Sequence, residues 1–155
     1  PVRGQKMNPQ ERVPAPDKAL EEQLDDVLLA MLLWGEARGE PLEGKFAVAQ
    51  VVRNRCEKRN QTWKQVMLAP KQFSAFNSQD PNYCKLFEPL KHDTEAVWHE
   101  CLAAAWIVFH IPTLFPDFSK GADHYLADSL ETTLPVWARD MQQVTRIGRH
   151  IFFRS

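Results

Sequence analysis

Counting back in steps of four from Glu36 gives Leu32, Leu28, Leu24 and Leu20, the centre of an apolar stripe. A helix that carried this stripe through Glu36 would end its inward face on a carboxylate. A carboxylate withdrawn from water is costly unless it is paired or protonated, so burial either raises its pKa or supplies a specific partner. A raised pKa is what a general acid needs near neutral pH. The position equally suits an inward Glu bonded to backbone or to Arg38, and the spacing alone leaves both readings open. Glu40 lies four residues on, but Gly39 and Pro41 break the helix between them, because the residue before Pro avoids the α region. Glu40 is therefore expected to shape a turn or bind a substrate. The spacing supports one acid, not an acid paired with a nucleophile.

The elements that must hold these groups are mostly helical. Asp17 can cap a first helix carrying the Leu20–Leu32 stripe. A second helix is expected from Gly44 to Lys58, with Phe46, Ala47, Val48, Val51 and Val52 inward and Arg53, Arg55, Lys58 and Arg59 as a solvated basic edge. Asn54 on this helix suits the orienting of a backbone loop. Thr62-Trp63-Lys64-Gln65 is a capping-box pattern that opens a short third helix and stops before Pro70. Asp93 or Thr94 starts a fourth, ending near Phe109 before Ile111-Pro112, with Trp98, Trp106 and Phe109 on its core face. Residues 70–92 have no period and read as a long ordered loop, a length that usually signals function. Strands are expected at Asp123–Ala127 and Ile147–Arg154. The fold class is α+β, mostly helical, with a small antiparallel sheet.

A chain of 155 residues suits one domain and buries about 68–70% of its unfolded surface. Hydrophobic residues at 44% and charged residues at 25% exclude a disordered chain. Residues 1–18, with four prolines and no hydrophobic period, read as an extended or mobile arm, leaving 19–155 as the catalytic domain. The net charge of −1 argues against nucleic acid as a partner. It hides an uneven distribution, +4 over 38–64, −5 over 71–135 and +3 over 136–155. No apolar run approaches the roughly 20 residues of a membrane span, so stable membrane insertion is not expected. Cys56, Cys84 and Cys101, odd in number and without CxxC spacing, read as reduced thiols. The opening Pro1-Val2-Arg3 shows no secretory signal, which implies synthesis in the cytoplasm.

Several blocks together resemble a known family. Gly35-Glu36-Ala37-Arg38-Gly39-Glu40-Pro41, Glu43-Gly44 and Ala47-Val48-Ala49-Gln50-Val51-Val52-Arg53-Asn54-Arg55 are similar to the opening of the SleB/CwlJ-type cell-wall hydrolases, which include spore cortex-lytic enzymes and phage lysins. The resemblance continues through Gln72-Phe73-Ser74, Ala122-Asp123-His124-Tyr125, Pro135-Val136-Trp137 and Ile147-Gly148-Arg149-His150-Ile151-Phe152-Phe153-Arg154. It departs at Ile111–Pro116, where the family often carries Asp-Pro-Thr-Gly.

The resemblance implies a compact lysozyme-like domain, without cofactor or metal, that cleaves the β-1,4 bond between N-acetylmuramic acid and N-acetylglucosamine in peptidoglycan. It implies Glu36 as the general acid of a lytic transglycosylase. A hydrolytic muramidase would need a second carboxylate, for which Glu40, Asp80 and Asp123 are the candidates. Gln72, Phe73 and Ser74 are expected to line the cleft, the alternative being a loop that Phe73 and Phe76 anchor to the core and in which Ser74 caps a turn. Tyr125 suits either the reaction centre or strand packing, Trp137 either sugar stacking or core, and His124 and His150 a structural role before a catalytic one. The expected enzyme is a monomer that reaches the bacterial wall through a holin-type lesion. Two other classes stay open: a zinc peptidoglycan amidase using His124 and His150, and a wall-binding domain without chemistry.

Overall fold

Between Asp26 and Glu36 the chain carries no charged side chain, and a helix apolar on every side belongs inside a core. The computed structural model, which describes residues 12–155, shows this directly. Helix α1 (Asp25–Ala37) is buried from Val27 to Trp34, each residue at most 2% exposed. Helices α2 (Leu42–Arg59) and α5 (Glu95–His110) pack against it. Between them lie the short α3 (Trp63–Met67) and α4 (Pro89–His92).

The helix starts and stops follow local chemistry. Thr62 Oγ1 accepts from the Gln65 N–H at 3.1 Å while Gln65 Oε1 accepts from the Thr62 N–H at 2.9 Å, the expected capping box of α3. Thr94 caps α5, which ends at Ile111 ahead of Pro112. Asn60, left-handed at φ 50°, terminates α2.

The first helix departs from expectation. It begins at Asp25, not near Asp17, and Leu24 is its N-cap residue, 62% exposed. The Gln23 amide explains the delay: it accepts from the Ala15 N–H and donates to the carbonyls of Ala15 and Lys18, folding the chain back before α1. Leu20 is buried from a 3₁₀ turn at Leu20–Glu22. Of the expected N-terminal arm, residues 12–18 lie against the body through Arg12–Asp26 and the Trp98 Nε1–Arg12 carbonyl bond. Residues 1–11 lie outside the described residues.

Strands β1 (His124–Ala127), β2 (Gln142–Ile147) and β3 (His150–Arg154) form an antiparallel sheet in the order β1-β3-β2. Strand β2 and the short helices α4 and α6 (Val136–Arg139) have no counterpart among the expected elements. Strand alternation gives the sheet two faces. Tyr125, His150 and Phe152 share one face, and Phe152 joins the main core; Leu126, Ile151 and Phe153 share the other, closed by Leu134, Ala138 and Met141.

The turn joining β2 to β3 depends on Gly148. Its φ is 54°, and a Cβ there would meet Glu40 Oε2 at 2.6 Å and Pro41 Cδ at 3.0 Å. Gly148→Ala should therefore lose about 1–3 kcal/mol of stability. Urea unfolding checks this, and a midpoint equal to the parent's would refute it.

Candidate active site

The last turn of α1 carries Gly35 and Glu36 against a 3₁₀ turn at Ser74–Phe76. This turn lies in the long loop expected over 70–92, which also contains a 3₁₀ segment at Tyr83–Phe87 and ends in α4. Glu36 is half-buried, and its Oε1 accepts from the Ala75 N–H at 3.3 Å and the Ser74 hydroxyl at 3.5 Å. Burial raises its pKa and outweighs the opposing bonds from Ala75 and Ser74, while the negative charge of Asp80 adds to the rise. The result is a carboxyl group kept protonated further toward neutrality than an exposed Glu, next to open space. An open cavity beside it is lined by Ala37, Gly39, Glu40 and Arg149.

Phe73, the residue before the Ser74–Phe76 turn, packs against Tyr125. Their rings stack with centroids 6.4 Å apart and planes inclined by 28°. Tyr125 also packs on His150 at 4.9 Å. Burial and then the Glu36 charge push the Tyr125 phenol well above its usual pKa, with Arg55 opposing, so it stays neutral at any physiological pH. Gln72 is exposed at the rim, with its Oε1 3.4 Å from Arg55 Nη1.

Glu40 borders the same cavity but is engaged by structural partners. Its side chain is 8% exposed, Oε1 accepts from the Arg149 N–H at 2.9 Å, and His150 Nδ1 stands 3.3 Å away. Its own carbonyl accepts from the buried Lys45 ammonium at 2.7 Å, and Lys45 also pairs with Glu100. Glu40 thus ties the end of α1 to the β2–β3 turn. Asp123 is tied as firmly. Against its burial, bonds from Ser155, His124 and Lys58 hold its carboxyl below the usual carboxylate range.

The fold brings Glu36, Gln72, Phe73, Ser74 and Tyr125 together. His124 and Trp137 sit apart, because β1 turns His124 to the other face of the sheet, where its ring lies 5.2 Å from Trp137. Trp137 is 40% exposed and edge-on to Phe153. His124 and His150 point from opposite faces, so one metal ion cannot take both. Among the described residues no three His, Cys, Asp or Glu side chains converge.

Arg55 is the residue the sequence reading misplaced. It is 5% exposed, not part of a solvated edge, whereas Arg53 pairs with Glu57 at the surface. The signal was present: Val48, Val51, Val52 and Arg55 share the inward face of α2 at helical spacing. Asn54 behaves as expected, donating to the Ala122 carbonyl at 2.8 Å.

Comparison with known proteins places the family and the fold. The sequence profile of the cell wall hydrolase family matches residues 39–153. Spore cortex-lytic enzymes are similar: that of Oceanobacillus iheyensis is 33% identical over 132 residues, covering 84% of this chain and 41% of its own length. That of Bacillus subtilis is 32% identical over 127 residues, covering 81% and 36%. The chain therefore spans about two-fifths of these relatives. Among solved structures, the catalytic domain of the germination-specific lytic transglycosylase SleB from Bacillus anthracis matches with a TM-score of 0.59 and 26% identity, over 92% of this chain and all of that one. The Bacillus cereus SleB catalytic domain matches in fold with a TM-score of 0.56 and 24% identity, over 92% and 96%. The expected lysozyme-like, mostly helical fold is the one observed.

Because the folded chain favours protonated Glu36, that group's stabilising contribution is complete below the ordinary carboxylate pKa and is lost as pH rises through the raised one. Glu36→Gln, neutral throughout, should be more stable than the parent at pH 7 and gain nothing below about pH 4. Thermal midpoints at both pH values decide this; a gain of equal size at each would contradict it.

Proposed function

The chain belongs to the cell wall hydrolase family, and from that premise we propose that it is a peptidoglycan lytic transglycosylase cleaving the β-1,4 bond between N-acetylmuramic acid and N-acetylglucosamine. The observation that carries this reading is Glu36 itself: one carboxyl group with a raised pKa, fixed by the Ser74–Phe76 turn, while Glu40 and Asp123 are bound to backbone and side-chain donors. One-carboxylate chemistry is what this arrangement can do.

In the proposed reaction, protonated Glu36 gives its proton to the glycosidic oxygen. The C1–O bond breaks with its electron pair going to that oxygen, and positive charge develops at C1 of the muramoyl residue. The Glu36 carboxylate then takes the proton of the muramoyl 6-hydroxyl as this oxygen attacks C1. The product is a 1,6-anhydro end, Glu36 is protonated again, and no water is consumed. The neutral Tyr125 phenol stands close enough to feel the Glu36 charge and presents oxygen lone pairs to the developing cation. Exposed Gln72 and Ser74 offer hydrogen bonds to the sugar amides and hydroxyls, while buried Phe73 anchors their loop to the core. Exposed Trp137, with half-buried His124 beside it, suits a sugar contact remote from Glu36, on the other side of the sheet.

A hydrolytic muramidase is the second reading, and Asp80 favours it. Among the described carboxylates, Asp80 is the one whose charge raises the Glu36 pKa, and it lines a small cavity with Ser74 and Ala75. We further read the protein as a monomer that acts on glycan strands in the wall as an endolysin-like, phage-encoded bacteriolytic enzyme released through a holin-type lesion. Among the described residues no helix is long and apolar enough to cross a membrane.

Mass spectrometry of digested sacculi separates the chemistries. Anhydro-muramoyl ends are expected; reducing muramic ends would replace the transglycosylase with the hydrolase, and free stem peptides would overturn both. Glu36→Gln should reduce the rate by about 10²–10⁴-fold with the fold intact. Lysis of permeabilised but not intact cells is expected for the holin route.

A further inference from the structure

Arg55 carries a buried positive charge for which no carboxylate stands within ion-pairing distance among the described residues. Removing a cation from water without an ionic partner costs several kcal/mol, so such a group is retained where its donors do something specific. The contacts of Arg55 are all neutral and come from three separate segments. Its Nε donates to the Asp123 carbonyl at the start of β1, its Nη1 to Gln72 Oε1 at 3.4 Å, and its guanidinium carbon lies 5.0 Å from the centre of the Phe73 ring. Gln72 and Phe73 precede the turn that bonds Glu36, and Asp123 lies two residues before Tyr125.

We propose that Arg55 is a positioning residue of the active site: its guanidinium gathers Gln72, Phe73 and the Asp123 carbonyl and so fixes the Phe73–Tyr125 stack beside Glu36. The planar fork of Arg suits this, since it offers donors in fixed directions together with a face for an aromatic ring. A Lys would keep the charge but could neither stack nor hold two acceptors in one plane. Arg55 has no reacting atom of its own; it acts through Tyr125 and through the segment leading into Ser74. This inference rests on the reading of Glu36 as the acid.

The test compares Arg55→Met, Arg55→Lys and Glu36→Gln on soluble glycan strands. Misplacement by about 1 Å near a reacting centre costs on the order of 100-fold. Arg55→Met should lower kcat about 10–100-fold while changing KM less than about 3-fold, and Arg55→Lys should recover only part of that loss. The chain has two tyrosines, so carbon-13 labelling gives one ring signal for Tyr125 and one for Tyr83. The Tyr125 signal should move in both Arg55 variants and the Tyr83 signal should not. A folded Arg55→Met enzyme with the parent's kcat overturns the proposal. So does an unmoved Tyr125 signal. Should Arg55→Met fail to fold, Arg55→Lys decides: a kcat equal to the parent's leaves Arg55 a stability role only and overturns positioning. Full activity in Glu36→Gln would instead defeat the assignment of the acid, an outcome separate from any of these.

Discussion

At Gly35 the backbone of α1 lies so close to the Ser74–Phe76 turn that a Cβ would stand 2.5 Å from the Ala75 Cβ and 3.0 Å from Leu86 Cδ2. No other residue type allows that approach without moving one of the two elements. The approach brings the Ala75 N–H and the Ser74 hydroxyl to Glu36 and also screens this carboxyl from water. Desolvation and hydrogen bonding act in opposite directions on its protonation, and both come from the same contact. The protonation of Glu36 is thus tied to a packing constraint one residue away.

The contrast with Asp123 shows why desolvation wins at Glu36. Both are removed from water, yet the Asp123 pKa falls and the Glu36 pKa rises. Asp123 accepts from the Ser155 N–H at 2.9 Å and the Lys58 ammonium at 2.9 Å, with His124 Nδ1 at 3.0 Å. Glu36 has two donors at 3.3 and 3.5 Å, both neutral and both long. Several bonds of ordinary length, one of them from a cation, stabilise the Asp123 carboxylate strongly, whereas bonds near 3.5 Å contribute little. A carboxylate with full partners is committed to structure. One with weak partners and an open side is available to give and take a proton.

Much of this was legible in the residues. The inward position of Glu36, the caps at Thr62 and Thr94, the break between Glu36 and Glu40 and the loop carrying Gln72, Phe73 and Ser74 all follow from local rules, and the structure has them. The start of α1 was not legible, because the Gln23 amide bonds that delay it join residues with no periodic signature. Strand β2 was hidden for a different reason: Gln142-Gln143-Val144-Thr145-Arg146-Ile147 is an edge strand, largely solvated, with a register irregularity between Gln143 and Thr145 that blurs its alternation. Arg55 was misread because a cluster of cations suggests a solvated surface, although the helical period already placed this one inside. The separation of His124 and Trp137 from Glu36 depends on which sheet face packs on the helices, and adjacency in sequence cannot supply that.

That last dependence makes the register of β1 the second constraint on the site. A shift of one residue would exchange Tyr125 for His124 on the face toward Glu36. Asp123 opposes such a shift with every polar atom it has. Its N–H donates to the Phe153 carbonyl at 3.0 Å, its carbonyl accepts from Arg55, and its carboxylate receives the Ser155 N–H and the Lys58 ammonium. At the other end of the strand the Asp128 N–H donates to the Arg149 carbonyl at 2.8 Å, and the Arg149 N–H in turn donates to Glu40. Glu40 and Asp123 therefore pin the two ends of the strand pair that presents Tyr125, and of these three carboxyl groups Glu36 alone is left with only long bonds from neutral donors.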